Sequence, residues 1–454
     1  MPIESRLGKK MDLTIDRLGI NGEGVGQWYG YTIFVDGALP GEQVYASLYE
    51  KRKSFGRAYV VRRDTNSPHR AEPICPLFGT CGGCQLMHLT YSEQLVAKRQ
   101  RVVDALVRIA KLPDVEIPPC IPSPSPLAYR NKIQLPVAPG QAHLRLGLYA
   151  RNTHELVEME QCHIHCSLGE RAFKQIKDRL QASSITSYDP KTGKGELRHV
   201  LIKTAVFTQE ILVTFVTTGA PSFELQEVAR AIMQAMPEVK GVVLNINSSP
   251  DNTVLGHEYQ VLCGEKSIKE KLCGLTFTVS SASFFQVNPP QAEHLYQTVL
   301  EKSALSGKET VLDAYCGVGT LSLLLAKGAK SVIGVECVSE AIADAKENAR
   351  INDIANVEFI CAEAESYIQT LSSIDVAILN PPRKGCEKSL LEKLATLKPE
   401  RIVYVSCDPA TLARDLHFLA EKGWEIESVQ PFDMFPQTAH VESVATLSLK
   451  KIAL

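Results

Sequence analysis

Long apolar runs are missing from this sequence. No segment approaches the roughly eighteen apolar residues that a membrane helix needs, and the polar start Met1-Pro2-Ile3-Glu4-Ser5-Arg6 leads into no signal-peptide core. A cytoplasmic protein with no membrane partner is expected. An excess of one charge is missing too: a net charge of −2 over 454 residues excludes a chain that coats polyanions indiscriminately. There is no internal repeat and no low-complexity segment. With 44% hydrophobic and 22% charged residues, the composition excludes wholly disordered and fibrous classes. The thirteen cysteines are scattered over a long chain rather than crowded into a small secreted domain, so thiol chemistry or metal binding is expected in place of disulfides. The length fits about three domains.

Within the balanced total lies one local excess. Residues 49–70 hold seven cations, Lys51, Arg52, Lys53, Arg57, Arg62, Arg63 and Arg70, against Glu50 and Asp64. Such a run serves either as a solvated face or as a phosphate-binding one. It falls on the last hairpin of a stretch that alternates β-type runs with glycine turns, among them Leu13-Thr14-Ile15, Tyr31-Thr32-Ile33-Phe34-Val35 and Arg57-Ala58-Tyr59-Val60-Val61. Five such strands in about 65 residues predict a small barrel of the oligonucleotide-binding kind.

A helical stretch from Ser92 to Lys111 and a proline-rich connector from Pro113 to Pro126 follow. From Tyr129 to about Lys271 the pattern is that of an α+β domain, with strands near 200–204 and 211–215 and helices over 168–182 and 222–236. From about residue 274 strands and helices alternate regularly, which predicts a mostly parallel, doubly wound sheet.

Three segments of that last region carry chemistry. The turn Asp313-Ala314-Tyr315-Cys316-Gly317-Val318-Gly319-Thr320 joins its first strand to a helix, and the second strand, Ser331-Val332-Ile333-Gly334-Val335-Glu336, ends in an acid where nucleotide folds bind ribose hydroxyls. The turn has no phosphate-binding lysine and is not G-x-G-x-x-G, so S-adenosylmethionine fits better than NAD or ATP. The fourth strand ends in Asn380-Pro381-Pro382-Arg383, a rigid turn open to structural and catalytic readings alike. The fifth ends in Ser406-Cys407-Asp408-Pro409. There Cys407, just before a helix whose amino terminus would lower its pKa, is a candidate nucleophile, with Glu442 from the far edge as general base.

A separate cysteine constellation, Cys75, Cys81 and Cys84, sits in a Gly/Pro-rich loop with spacings of six and three residues. Cys162 is its candidate fourth member, in competition with Cys166 and His163. Either zinc or an iron–sulfur cluster could be surrounded by such thiolates.

Taken together, the Ser406-Cys407-Asp408-Pro409 and Cys75/Cys81/Cys84 patterns resemble the RNA 5-methyluridine methyltransferases, especially the bacterial 23S rRNA type with a TRAM domain and a [4Fe-4S] cluster. The resemblance covers nearly the whole chain. It implies a TRAM barrel at residues 1–65, a central iron–sulfur-bearing RNA-recognition domain at 66–273, and a methyltransferase domain at 274–454. Segment 87–119 is expected to pack on the catalytic domain.

By the same resemblance Cys407 is the nucleophile and Glu442 the proton acceptor. Gln286, Tyr315, Thr320, Glu336, Glu363 and Asn380 fall at cofactor positions, and Cys75, Cys81, Cys84 and Cys162 at cluster positions. Tyr129-Arg130-Asn131-Lys132 looks like the RNA-contacting segment. Asn380 stands where the family usually has Asp, which removes a negative charge beside the pocket.

The function implied is transfer of a methyl group from S-adenosylmethionine to carbon 5 of a uridine. The RNA would be 23S rRNA first and tRNA second, and the enzyme a monomer. Competing readings are an amino-group methyltransferase, prompted by Asn380-Pro381-Pro382, and a nonenzymatic RNA-binding factor. A radical methylthiotransferase ranks last, because its cysteine spacing differs.

Overall fold

The computed structural model describes residues 8–141 and 143–450. Its first element is a closed barrel of five strands: β1 (Lys10–Leu18), β2 (Gly24–Trp28), β3 (Tyr31–Asp36), β4 (Gln43–Lys51) and β5 (Phe55–Thr65), in the order β1-β2-β3-β5-β4. In β1, Met11, Leu13 and Ile15 alternate inward while Lys10, Asp12 and Thr14 face out. This period of two lets so short a chain enclose a core with Ile33, Val35, Val44, Ala46 and Ala58.

The helix α1 (Tyr91–Ala105) continues as a short π-helical turn, Leu106–Ala110. Its buried face, Gln94, Lys98, Val102 and Ala105, does not rest on the barrel. Val102, Ala105, Leu106 and Ala110 share a core with Leu312, Tyr404, Leu416 and Trp424, far along the chain. Fully buried Lys98 makes an ion pair with Asp433 and donates to the Phe435 carbonyl at 3.0 Å. Gln94 bonds Gln437 at 3.0 Å.

Next come β6 (Lys132–Pro139), β7 (Leu144–Tyr149), β8 (Leu156–Glu158), α2 (Ser167–Gln181), β9 (Leu197–Ala205), β10 (Glu210–Thr217), α3 (Phe223–Ala235), β11 (Val239–Ile246) and β12 (Glu258–Gly264). They build a seven-stranded mixed sheet, β12-β11-β10-β9-β6-β7-β8, in which only β10 and β11 run parallel. One face packs on α2 and α3. The other presents Ala205, Leu212 and Val243 to the hairpin of β13 (Ser267–Leu272) and β14 (Leu275–Ser280), and joins the core of the last region through it.

The last region contains α4 (Pro289–Ser303), β15 (Thr310–Asp313), α5 (Thr320–Ala326), β16 (Ser331–Glu336), α6 (Ser339–Ile351), β17 (Val357–Cys361), α7 (Ala364–Tyr367), β18 (Val376–Leu379), α8 (Lys388–Leu397), β19 (Arg401–Ser406), α9 (Pro409–Glu421), β20 (Trp424–Phe432) and β21 (Glu442–Leu449). Its sheet has the order β17-β16-β15-β18-β19-β21-β20. The first five strands are parallel and β21 is antiparallel to both neighbours. This is a Rossmann-like class I methyltransferase fold preceded by an oligonucleotide-binding-type barrel. Among the described residues no helix is long and apolar enough to cross a membrane.

Candidate active site

Five parallel strands point their carboxyl ends to one edge, where open α/β sheets bind ligands. Along β16, β15, β18, β19 and β21 that edge carries, in order, Glu336, Asp313, Asn380, Cys407 and Glu442. Asp313 and Asn380 line one cavity, Glu336 lies outside its lining, and Cys407 and Glu442 sit side by side farther along.

Gly317 (φ +53°) and Gly319 (φ +81°) turn the chain from β15 into α5. A Cβ on Gly319 would lie 2.7 Å from the Phe359 ring, so only glycine lets this turn close over β17. The Gly317 amide donates to Glu336 Oε2 at 3.2 Å, and Val338 donates to its Oε1 at 3.0 Å. Gln286, Tyr315, Thr320 and Asn380 line one cavity with Asp313, Tyr296, Phe284 and Phe285. Gln286 is buried in this wall. Glu363 is exposed, outside that lining, and caps α7 through its backbone. Its neighbour Glu365 accepts from Tyr315 at 2.9 Å.

No motif in the sequence marks Asp313, yet it is the most telling side chain here. It is 1% exposed; Oδ2 accepts from Ser322 at 2.6 Å, and Oδ1 has no partner among the described residues. Burial raises its carboxyl pKa to about 6. An orphaned buried acceptor is costly unless a ligand completes it. The cavity wall contains one acid, Asp313, and two amides, Gln286 and Asn380, but no Lys or Arg. Such a donor and acceptor set fits S-adenosylmethionine, which offers hydroxyls and an ammonium and carries no phosphate.

The register Ser406↔Ser443 between β19 and β21, continued by one step, sets Cys407 beside Glu442. The approach to Glu442 is pinned by Gln94 and Lys98 of α1, described above, and by Arg101, which donates to the Ala439 carbonyl at 2.6 Å. Glu442 is 6% exposed, and burial pushes its carboxyl up to about 7 against the pull of Arg383. Burial and then the Glu442 charge push the Cys407 thiol up to about 11, with Arg383 opposing. The expected lowering by the helix terminus therefore does not prevail. Asp408 Oδ1 already accepts from the Ala410 and Thr411 amides, so the first donors of α9 are taken by their own cap. Arg383 is the cation that favours both ionised forms, a role its position in the motif did not announce.

The metal-centre expectation is corrected. Cys75, Cys81, Cys84 and Cys162 are all free thiols, and among the described residues no group of three or more His, Cys, Asp or Glu is arranged to hold a metal ion. Among the described residues a [4Fe-4S] cluster therefore has no site. Cys75, Cys84 and Cys162 instead pack with Met87, Tyr129, Ile164 and Phe78 in a small apolar cluster. Burial pushes the Cys81 and Cys84 thiols up, and Cys162 to about 11, as for small hydrophobes. Within the Tyr129–Lys132 segment, Tyr129 is buried and donates to the Pro436 carbonyl at 3.0 Å, and the Asn131 amide donates to the Val287 carbonyl.

Comparison with known proteins agrees with this geometry. The tRNA (Uracil-5-)-methyltransferase family matches residues 205–451, more than half of the chain, and the TRAM domain matches residues 4–61. An RNA methyltransferase of Halalkalibacterium halodurans, described as uncharacterized, is 43% identical over 445 residues, 97% of each chain. One from Clostridium tetani, described in the same words, is 42% identical over 441 residues, 96% of each. The crystal structure of Pyrococcus abyssi tRNA (uracil-54, C5)-methyltransferase in complex with S-adenosyl-L-homocysteine is similar at a TM-score of 0.76 and 28% identity, covering 96% of this chain and 100% of that one. With a class I fold, a TRAM barrel and this match in hand, the chain belongs to the tRNA (uracil-5-)-methyltransferase family and is an S-adenosylmethionine-dependent RNA (uracil-5-)-methyltransferase.

Proposed function

We propose that this enzyme methylates carbon 5 of a uridine in tRNA, with Cys407 as nucleophile and Glu442 as proton acceptor. The observation that carries the reading is the adjacency of Cys407 and Glu442 beside a cavity whose wall has no basic residue. Carbon 5 of uracil is a weak nucleophile. Addition of the Cys407 thiolate to carbon 6 forms an S–C bond and makes carbon 5 enolate-like. The cofactor, when bound, would supply an electrophilic methyl group to carbon 5 and be left as S-adenosylhomocysteine. Glu442 then takes the proton from carbon 5, and the electron pair of that C–H bond expels Cys407 from carbon 6. An amino-group methyltransferase needs neither residue.

Gln286, Asp313, Tyr315, Thr320, Glu336 and Asn380 would hold the cofactor, Asp313 and Glu336 through their acceptor oxygens. Asn380 offers a donor as well as an acceptor there. The target carbon lies within a stacked base, so the uridine is flipped to reach Cys407. On the barrel, the exposed rings of Tyr49 and Tyr59 stack at 6.5 Å and Arg62 lies over Tyr45, a surface suited to bases and phosphates. tRNA replaces 23S rRNA as the preferred substrate because the Pyrococcus abyssi relative, similar along 96% of this chain, is a tRNA (uracil-54, C5)-methyltransferase.

The test is methylation in vitro of unmodified tRNA transcripts and of 23S rRNA fragments by the purified full-length protein. 5-Methyluridine in tRNA alone is expected, and Cys407→Ala should lower the rate by at least about a thousandfold. Methylation of the rRNA fragments alone would overturn the substrate, and full activity of Cys407→Ala would overturn the mechanism.

A further inference from the structure

The loop 281–288, between β14 and α4, presents Phe284, Phe285 and Gln286 to the cofactor cavity. Its first turn is closed by Ser280 and Ser283: the Ser283 hydroxyl donates to the Ser280 carbonyl at 3.0 Å and accepts from the Ser280 amide at 2.9 Å, and the Ser283 amide donates to Ser280 Oγ at 3.3 Å. The rest of its support comes from other parts of the molecule. Asn288 donates to Ser123 at 3.0 Å and to the Met434 carbonyl at 3.1 Å. The central sheet and the residue before β6 supply four further hydrogen bonds. The Asn131 amide donates to the Val287 carbonyl at 2.9 Å, and Thr214 and Ser281 share a buried hydroxyl–hydroxyl bond of 2.8 Å. Lys203 Nζ donates to the carbonyls of Ser280 at 2.7 Å and Ser283 at 2.6 Å.

Lys203 is an unusual residue for its place. It lies on β9 on the same face as Ala205, which joins the apolar core shared with the catalytic sheet, and it is only 6% exposed. No carboxylate among the described residues lies within salt-bridge distance of it; Asp344 acts on it from farther away, and itself accepts from Ser280 Oγ at 3.2 Å. Burial and the neighbouring Lys132 push its pKa down to about 7. A buried amine without an ion-pair partner costs stability, and an aliphatic residue would fill the same space at no such cost. What the amine provides is a donor for two carbonyls at the start of the cavity loop, that of Ser283 and that of Ser280, which otherwise has the Ser283 hydroxyl alone.

We propose that Lys203 is a positioning residue for the cofactor: by gripping the Ser280 and Ser283 carbonyls from the central sheet, it sets the loop that presents Phe285 and Gln286 to the cavity. The inference rests on the reading of that cavity as the S-adenosylmethionine site.

The experiment compares full-length wild type, Lys203→Met and Lys203→Arg. It combines calorimetric titration with S-adenosylhomocysteine and steady-state kinetics on a tRNA transcript. Lys203→Met is expected to raise the Kd of S-adenosylhomocysteine and the KM for S-adenosylmethionine about tenfold, as follows from losing one buried donor pair. Its kcat should stay within about threefold and its KM for RNA should be unchanged, a split that general loss of structure does not give. Lys203→Arg, which keeps a donor fork, should recover most of the affinity. If Met at this position prevents folding, Lys203→Gln, which retains one donor, carries the same comparison.

Unchanged cofactor affinity in a folded Met or Gln variant would overturn the inference alone. So would equal losses in kcat, cofactor KM and RNA KM. Failure of the wild type to bind S-adenosylhomocysteine would overturn the cofactor reading and this inference with it.

Discussion

Two regions of this molecule gather reactive residue types, and they behave in opposite ways. In the loop of Cys75, Cys81 and Cys84, the thiols of Cys75 and Cys84 pack with Cys162 in an apolar cluster with Met87, Tyr129 and Ile164. At the carboxyl edge of the catalytic sheet, Asp313, Cys407 and Glu442 lie more than a hundred residues apart in total and share one edge. There a buried acid keeps an oxygen unbonded and a second carboxyl is held near neutrality. Clustering along the chain measures little, because packing can satisfy a thiol with carbon neighbours. A buried carboxylate has no such option: it needs a donor, a cation or a proton. The contrast separates thiols packed among carbon neighbours from carboxyls that burial shifts upward.

Glu442→Gln gives the largest expected effect on this comparison: a loss of about 10²–10⁴ in methyl transfer, the usual worth of a positioned base. The pH profile sharpens it. Glu442 accepts a proton only when ionised, and its pKa is raised to about 7, so wild-type kcat/KM rises as pH passes upward through that value. The Cys407 thiolate, governed by a pKa of about 11, adds a further rise at higher pH. In Glu442→Gln the step near pH 7 should vanish, and the thiol should titrate at lower pH because the neighbouring negative charge is gone. A step that persists near pH 7 would assign it to another group.

Asp313→Asn comes next. It keeps the shape, removes the acceptor charge, and should weaken S-adenosylhomocysteine binding about tenfold by calorimetry. Unchanged affinity would mean that the orphaned oxygen faces no ligand. Cys84→Ser is the smallest. A hydroxyl in the apolar cluster should cost about 1–2 kcal/mol in a denaturant melt, while turnover per folded molecule stays within about threefold. Loss of turnover in the folded variant would break the contrast between the two regions.

Much of this was legible in the sequence, for definable reasons. The barrel follows from strict alternation in β1 and from glycine turns, and the doubly wound sheet from strands such as Val376-Ala377-Ile378-Leu379, buried throughout. The ends of those strands point to Glu336, Asn380 and Cys407, because topology alone puts such residues at the ligand edge. Asp313 was hidden because an acid ending a strand is indistinguishable in sequence from one entering solvent. Only three-dimensional burial makes it costly. Lys98 and Asp433 lie 335 residues apart, and no periodicity announces that a lysine on a polar-looking helix will be fully buried. Lys203 was hidden for the same reason: within Val200-Leu201-Ile202-Lys203-Thr204 it reads as a solvent-facing break in a strand. The cysteine loop misled in the other direction, since spacing reports proximity and not the chemistry of what surrounds it.

The most direct test of the central claim is nucleoside mass spectrometry of tRNA and of 23S rRNA, purified separately from cells with and without this protein. Loss of 5-methyluridine from tRNA, restored by the wild-type chain and not by Cys407→Ala, is the expected result. 5-Methyluridine unchanged in tRNA and lost from 23S rRNA would contradict the proposed substrate, and no change in either RNA would contradict the proposed function itself.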